Sequence, residues 1–361
     1  MKFHRKAAGF TLVEVIVASG IVVVIMGVLL TMTDQTQRLV KTTSAKIEQF
    51  QDARVGFESL TRRLSQATLN AFWDYDYDTN GNPKGYQRAA ELRFRSGQMK
   101  VLNPEGGPDG NLQPSHGVFF QTPNGLVEDI NKLGSLDHLI NTWGYFVEIG
   151  SDAASLPAFL QGKVDARKRY RLMEFMQPSE KLTVYTNAGQ IPGTSTGWFA
   201  KELRGANRPA RVLTENVVAL IVLPRLSLAD EEQWKKDTGK AVAPSLAPGD
   251  YSYNSTDPGR NAKDAVLNTK NQLPPVVQII MVAIDENSAR MLEDRYGSNA
   301  YLGIENYESR FKDPAALADV GRKPGDLSSF ENSLIAKKVS YRTFSTNVSI
   351  RGAKWSRSQT N

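Results

Sequence analysis

Gly9-Phe10-Thr11-Leu12-Val13-Glu14-Val15-Ile16-Val17-Ala18 opens a long apolar run that decides how the rest of the chain is read. Lys2, Arg5 and Lys6 precede it, and from Val15 to Thr33 no side chain is ionisable. As helix, residues 10–32 would extend about 35 Å at 1.5 Å per residue, enough to cross a hydrocarbon core of roughly 30 Å. A cleaved secretory signal would carry a shorter apolar core of about 7–15 residues and then a small-residue cleavage site. Here the apolar run continues well past Ala18-Ser19-Gly20. The segment therefore reads as a retained span. The positive charges before it, set against Asp34, Arg38 and Lys41 after it, predict the amino terminus in the cytoplasm and the bulk of the chain outside.

Glu14 does not suit a plain anchor. A carboxylate at membrane depth costs at least a few kcal/mol unless it is paired or protonated, so it calls for a partner. The glycine, the phenylalanine and the acid together resemble the leader and cleavage motif of type IV prepilins and type II secretion pseudopilins. The resemblance implies cleavage by a prepilin peptidase after Gly9, methylation of the new amino terminus at Phe10, and a new ammonium group that neutralises Glu14 of a neighbouring subunit and sets axial register. It also implies partners: the peptidase, other pilin or pseudopilin subunits, an inner-membrane assembly platform and membrane lipid. The competing reading of Glu14 is a side chain that snorkels to the interface of a simple single-pass anchor. Many pilins carry a proline in the apolar helix; none occurs here before Pro83, so any local melting would fall to Gly20 and Gly27.

Composition narrows the alternatives. The chain has 361 residues, a net charge of +6 and no cysteine, which removes disulfide frameworks, thiolate metal sites and cysteine nucleophiles. Catalytic motifs are equally scarce. There is no H-E-x-x-H, P-loop or G-x-G-x-x-G after a strand, and Ser135, Asp137 and His138 lie too close in sequence to form a triad. The chain is not read as an enzyme.

Beyond Met32 the pattern is amphipathic, with Ile47, Phe50, Ala53, Phe57, Leu60, Leu64, Ala67 and Ala71 on one helical face and charged residues on the others. A helix running unbroken to about Phe72 would be on the order of 95 Å long. After it come strand candidates: a hairpin over Glu91–Leu102 turning at Ser96-Gly97, then Gly117–Gln121, Gly144–Ile149, Arg169–Met176, Asn216–Leu223, Val276–Ile284, Val339–Phe344 and Asn347–Ala353. Residues 227–273, rich in proline and glycine, read as a surface insertion with a short helix at Leu228–Lys236; further helices are expected at Ser288–Tyr296 and Leu327–Lys337. The predicted organisation is a leader (1–9), a span (10–32), an amphipathic helix (33–72) and a head (73–361). The fold class is α+β: a long amino-terminal helix packed on an antiparallel sheet, an order that resembles the pilin fold. Leu213–Leu220 and Leu273–Ile280 are similar to the corresponding stretches of the J-type minor pseudopilins, and the overall length and layout resemble the Verru_Chthon cassette protein C group.

Three further patterns allow a functional and a plain reading. Asp76, Asp78 and Asn80, followed by Gly81, have the spacing of the front half of a calcium loop, but Gln87 stands where a bidentate glutamate is expected. The plain reading is an acidic Asn-Gly turn; calcium sites in some pseudopilins, by resemblance, keep Ca2+ as the one cofactor candidate. Trp73, Tyr75 and Tyr77 alternate either as a binding face for an exoprotein or carbohydrate, or as one side of a strand packed on its sheet. Finally, residues 337–361 hold six basic residues and no carboxylate. Arg342, Arg351 and Lys354, interleaved with Tyr341, Phe344 and Trp355, would suit nucleic acid in a membrane-anchored binding protein. The plainer use is a basic edge strand that discourages pairing, and nucleic acid is not the expected partner.

Overall fold

A computed structural model describes residues 11–355 except 135, 137, 154–155, 157–158, 161, 187–195, 206, 241–244, 248, 258–266, 305–306 and 308; of 41–49 and 109 it describes the backbone only. The chain divides into two compact units, Met1–Gln49 and Phe50–Asn361. Helix α1 (Leu12–Leu64) contributes to both. A long amino-terminal apolar helix followed by antiparallel sheets is an α+β architecture and fits the pilin-like fold.

Within the second unit α1 supplies a buried stripe of Ala53, Phe57, Leu60 and Leu64, the three- and four-residue spacing anticipated from the sequence. The helix stops at Leu64 rather than near Phe72. The amide of Thr68 is taken by the Gln121 carbonyl, and Asn70 turns to a positive φ of 49°, a conformation that breaks a right-handed helix. Ala71, expected on the helical stripe, instead begins a strand and is exposed.

That strand, β1 (Ala71–Tyr77), pairs with β2 (Pro83–Ala90) as an isolated two-stranded hairpin. The hairpin expected at Glu91–Leu102 is absent. Ser96-Gly97 lies inside β3 (Arg95–Gln98), which is flanked by β4 (His116–Thr122) and the short β9 (Tyr253–Asn254). Gly97 is needed there for close approach rather than for a turn: its φ is +150°, and a Cβ would meet Ser252 Cα at 3.3 Å.

The main sheet has six antiparallel strands in the order β7-β6-β5-β4-β3-β9, adding β5 (Asn141–Ser151), β6 (Lys168–Gln177) and β7 (Ala210–Glu215). The second sheet, of three strands, has the order β11-β10-β8, from β8 (Val217–Arg225), β10 (Val276–Ile284) and β11 (Tyr341–Ser349). The two terminal strands expected from the sequence are one strand, because nothing in Ser345-Thr346 interrupts its nine successive pairs with β10. Residues 227–273 are also more than a surface insertion: Tyr251 and Tyr253 are fully buried, and Tyr253 joins the six-stranded sheet through β9. The helices Leu228–Thr238, Glu286–Tyr296 and Asp326–Ala336 lie close to their expected places.

One residue moves the chain from one sheet to the other. Asn216, between β7 and β8, has φ +60°; its amide donates to Tyr170 O at 2.7 Å and its side-chain Nδ2 to Glu286 Oε2 at 3.1 Å. Asparagine tolerates that conformation, whereas a β-branched residue does not. Asn216→Val is expected to destabilise the protein by about 2 kcal/mol and Asn216→Gly by clearly less. Thermal unfolding of the full-length protein in detergent, followed by circular dichroism, checks the order.

Candidate functional site

Gly9, Phe10 and the leader lie outside the described residues, so the first structural account of the amino-terminal site begins at Thr11. Glu14 is the third residue of α1 and its carboxylate folds back on the helix start. Glu14 Oε2 accepts from the Thr11 amide at 2.9 Å and from the Thr11 hydroxyl at 3.0 Å, and Thr11 Oγ1 accepts from the Glu14 amide at 3.3 Å. This reciprocal arrangement is a capping box. It satisfies backbone donors that an α-helix leaves unpaired at its amino end, an unusually costly omission in lipid. Its signal in the sequence is the T-x-x-E spacing of Thr11 and Glu14.

The helix is long and apolar enough to span a membrane over Leu12–Val40. Its few hydroxyls are not left open. Ser19 donates to Ile16 O at 2.9 Å, Thr31 to Val28 O at 2.8 Å, Thr33 to Leu29 O at 2.8 Å and Thr36 to Met32 O at 2.8 Å. Each returns its hydrogen bond to the preceding turn, the solution available to a polar side chain in hydrocarbon. Gly20 and Gly27 interrupt nothing: α1 is continuous through both, and no heavy atom lies within 4 Å of where either Cβ would be. At the far end of the apolar run Arg38 pairs with Asp34 at 2.9 Å.

The other candidates occupy the second unit. Asp76 sits in β1 opposite Gly85, while Asp78 begins the turn that closes the hairpin. Asp78 Oδ1 accepts from the amides of Asn80 at 2.8 Å and Asn82 at 2.9 Å, and Gly81 has φ +82°. The Asn82 amide, foremost among these donors, holds the Asp78 carboxyl below the usual carboxylate range. This is the turn-forming use of the motif. Among the described residues no three His, Asp or Glu side chains gather as a metal-binding group.

Arg342 lies at the start of β11, its guanidinium 5.6 Å from the Phe344 ring centre, whereas Arg351 and Lys354 follow the strand. At about 3.4 Å per residue, Arg342 is on the order of 24 Å from Ser349, so the basic residues do not form one compact patch. β11 is an edge strand, the position where basic side chains limit further pairing. Trp73, Tyr75 and Tyr77 are not packed on a sheet; they are 58%, 46% and 57% exposed.

The two described histidines do not pair with each other. His138 is exposed, and His116 is buried with both ring nitrogens engaged: Nδ1 accepts from the Val222 amide at 3.1 Å, leaving Nε2 to donate to Phe311 O at 2.9 Å. Two buried acids that the sequence did not single out prove to be structural centres. Glu148 is held by the two terminal guanidinium nitrogens of Arg208, Nη1 and Nη2, at 2.5 and 2.6 Å. Glu174 is met by Arg63, Arg211 and the Tyr145 hydroxyl.

Comparison with known proteins adds one finding at the amino terminus. The family model of the prokaryotic N-terminal methylation motif matches residues 4–32. No curated protein and no solved structure matches the chain.

Proposed function

We propose that this chain, which carries the prokaryotic N-terminal methylation motif, is a minor subunit of a type IV pilus or type II secretion pseudopilus. The motif supports a type IV pilin- or pseudopilin-like subunit, and the apolar helix fits membrane anchoring. On this reading prepilin peptidase cuts after Gly9 and Phe10 becomes the methylated amino terminus. The head faces away from the cytoplasm, and the span moves from the inner membrane into a filament. The observation that carries the reading is an acid at the third position of a membrane-length helix, inside the matched motif. Its capping box engages one carboxylate oxygen, Oε2, so Oε1 is left to meet a neighbour's ammonium. A head of roughly 290 residues on a helix about 10–12 Å across would crowd a closely stacked shaft, which supports a tip or priming position.

Mass spectrometry of the membrane-extracted protein should find a mature chain that begins at Phe10 and carries one added methyl group. An intact Met1 would instead leave a single-pass anchored binding protein. Glu14→Gln separates the acid's two roles, because glutamine can complete a capping box but carries no charge. Loss of the variant from purified filaments, with membrane insertion unchanged, is the expected result. Incorporation equal to the wild type would reduce Glu14 to a helix cap.

A further inference from the structure

The β1–β2 hairpin pairs with no other strand, and most of its residues are exposed on both faces. Directly opposed residues of an antiparallel pair share a face. Trp73 opposite Arg88 and Tyr75 opposite Tyr86 therefore form one side of the hairpin, which Tyr77 continues. The Tyr75 and Tyr86 ring centres are 4.8 Å apart, those of Tyr75 and Tyr77 6.2 Å, and the Arg88 guanidinium lies 5.6 Å from the Trp73 ring centre. The result is an open aromatic ladder. At its foot is a groove of about 420 Å³ lined by Asn70, Phe72, Trp73, Arg88, Asn271 and Lys354, among others. Arg88 donates to the Gln272 side-chain oxygen and to Lys354 O. Neither Arg88 nor Lys354 has an ion-pair partner among the described residues; Glu91, a carboxylate at the groove, accepts from the lining residue Asn70 instead.

We propose that this ladder and groove bind an extended glycan bearing sparse carboxylates: an acidic group seated at Arg88 and Lys354, and uncharged sugar faces laid on Trp73, Tyr75, Tyr86 and Tyr77. Charge placement selects this ligand. The cations stand at the foot, while the aromatic face beyond them is neutral. Asp74, Asp76 and Asp78 belong to the same hairpin, within about one screening length of anything on the ladder, and would repel a polymer with a phosphate at every unit. Size argues against a folded protein partner. A two-stranded face of this length covers on the order of 240 Å², well below the roughly 800 Å² that each side of a stable protein interface buries. Sugar rings meet aromatic faces through their C–H groups, and a narrow strip of exposed tyrosine and tryptophan offers such faces with hydroxyls at their rims. The inference does not depend on whether the chain enters a filament.

The test is calorimetric titration of the full-length protein in detergent with three probes: a hyaluronan oligosaccharide, a neutral chitin oligosaccharide and an oligothymidylate. The hyaluronan fragment is expected to bind most tightly. Trp73→Ala and Tyr75→Ala should each weaken it about tenfold without moving the thermal unfolding midpoint. Lys354→Ala should weaken hyaluronan and leave the chitin fragment unchanged. Tighter binding of the oligothymidylate, failure of both glycans to bind, or wild-type affinity in Trp73→Ala and Tyr75→Ala would each overturn the proposal.

Discussion

Glu174→Ala should destabilise the protein by about 3–5 kcal/mol, the penalty typical of removing one partner from a buried ionic cluster. Glu174 is fully buried on β6. One oxygen meets Arg63 from α1 and the Tyr145 hydroxyl at 3.0 Å; the other meets Arg211 Nε at 2.7 Å and Nη2 at 2.5 Å. Arg63 also lies flat over Trp143, 3.7 Å from its ring centre. Without the acid, a largely buried guanidinium faces an indole and a phenol with no counter-charge. The unfolding midpoint should fall on the order of 10 °C. Arg211→Ala is the control: its side chain is 69% exposed, so water can take its place at Glu174 Oε2, and its loss should cost clearly less than that of the buried acid. Equal midpoints for the two variants would show that the cluster is not what fastens α1 to the sheet.

His116 makes stability depend on pH. Its ring joins β4 of the six-stranded sheet to β8 of the three-stranded one, receiving the Val222 amide and donating to Phe311 O. Burial, the dominant cause, pulls its pKa down to about 4. The unfolded chain takes up a proton near pH 6.5, whereas the native protein resists protonation until about pH 4. Folding stability is therefore unaffected above pH 6.5 and declines as pH falls through that window, by about 3 kcal/mol at its lower end. A protonated ring would also set an N–H against the Val222 N–H. In His116→Gln, whose amide offers one acceptor and one donor but does not titrate, this contribution should vanish. Thermal unfolding of both proteins between pH 7 and pH 4 gives the comparison; parallel curves would remove His116 as the source.

The parts of the fold written in local periodicity were legible. The apolar run, the stripe from Ala53 to Leu64 and the apolar strand Val276–Ile284 each announce themselves within a few residues. Two other signals are ambiguous without a partner. Gly97 looked like a turn residue but relieves a contact with Ser252, far along the chain. Trp73, Tyr75 and Tyr77 have a strand's alternation, yet no sheet stands behind them. The buried acids Glu148 and Glu174 were hidden for the same reason. Their arginine partners are 60 and 37 residues away for Arg208 and Arg211, and 111 for Arg63. At the amino terminus the three-residue spacing of Thr11 and Glu14 is itself the signal for the capping hydrogen bonds.

The course of α1 over the head has a mechanical corollary. Gly56 lies against Thr214 of β7, Arg63 reaches β5 and β6, and Thr68 just beyond the helix bridges to Gln121 of β4. The helix thus crosses the strands like a strap over the slats of a crate. Tension applied along it is shared by four neighbouring slats, and no single strand can be peeled away first. A head fastened in that manner should tear loose only when the whole sheet yields.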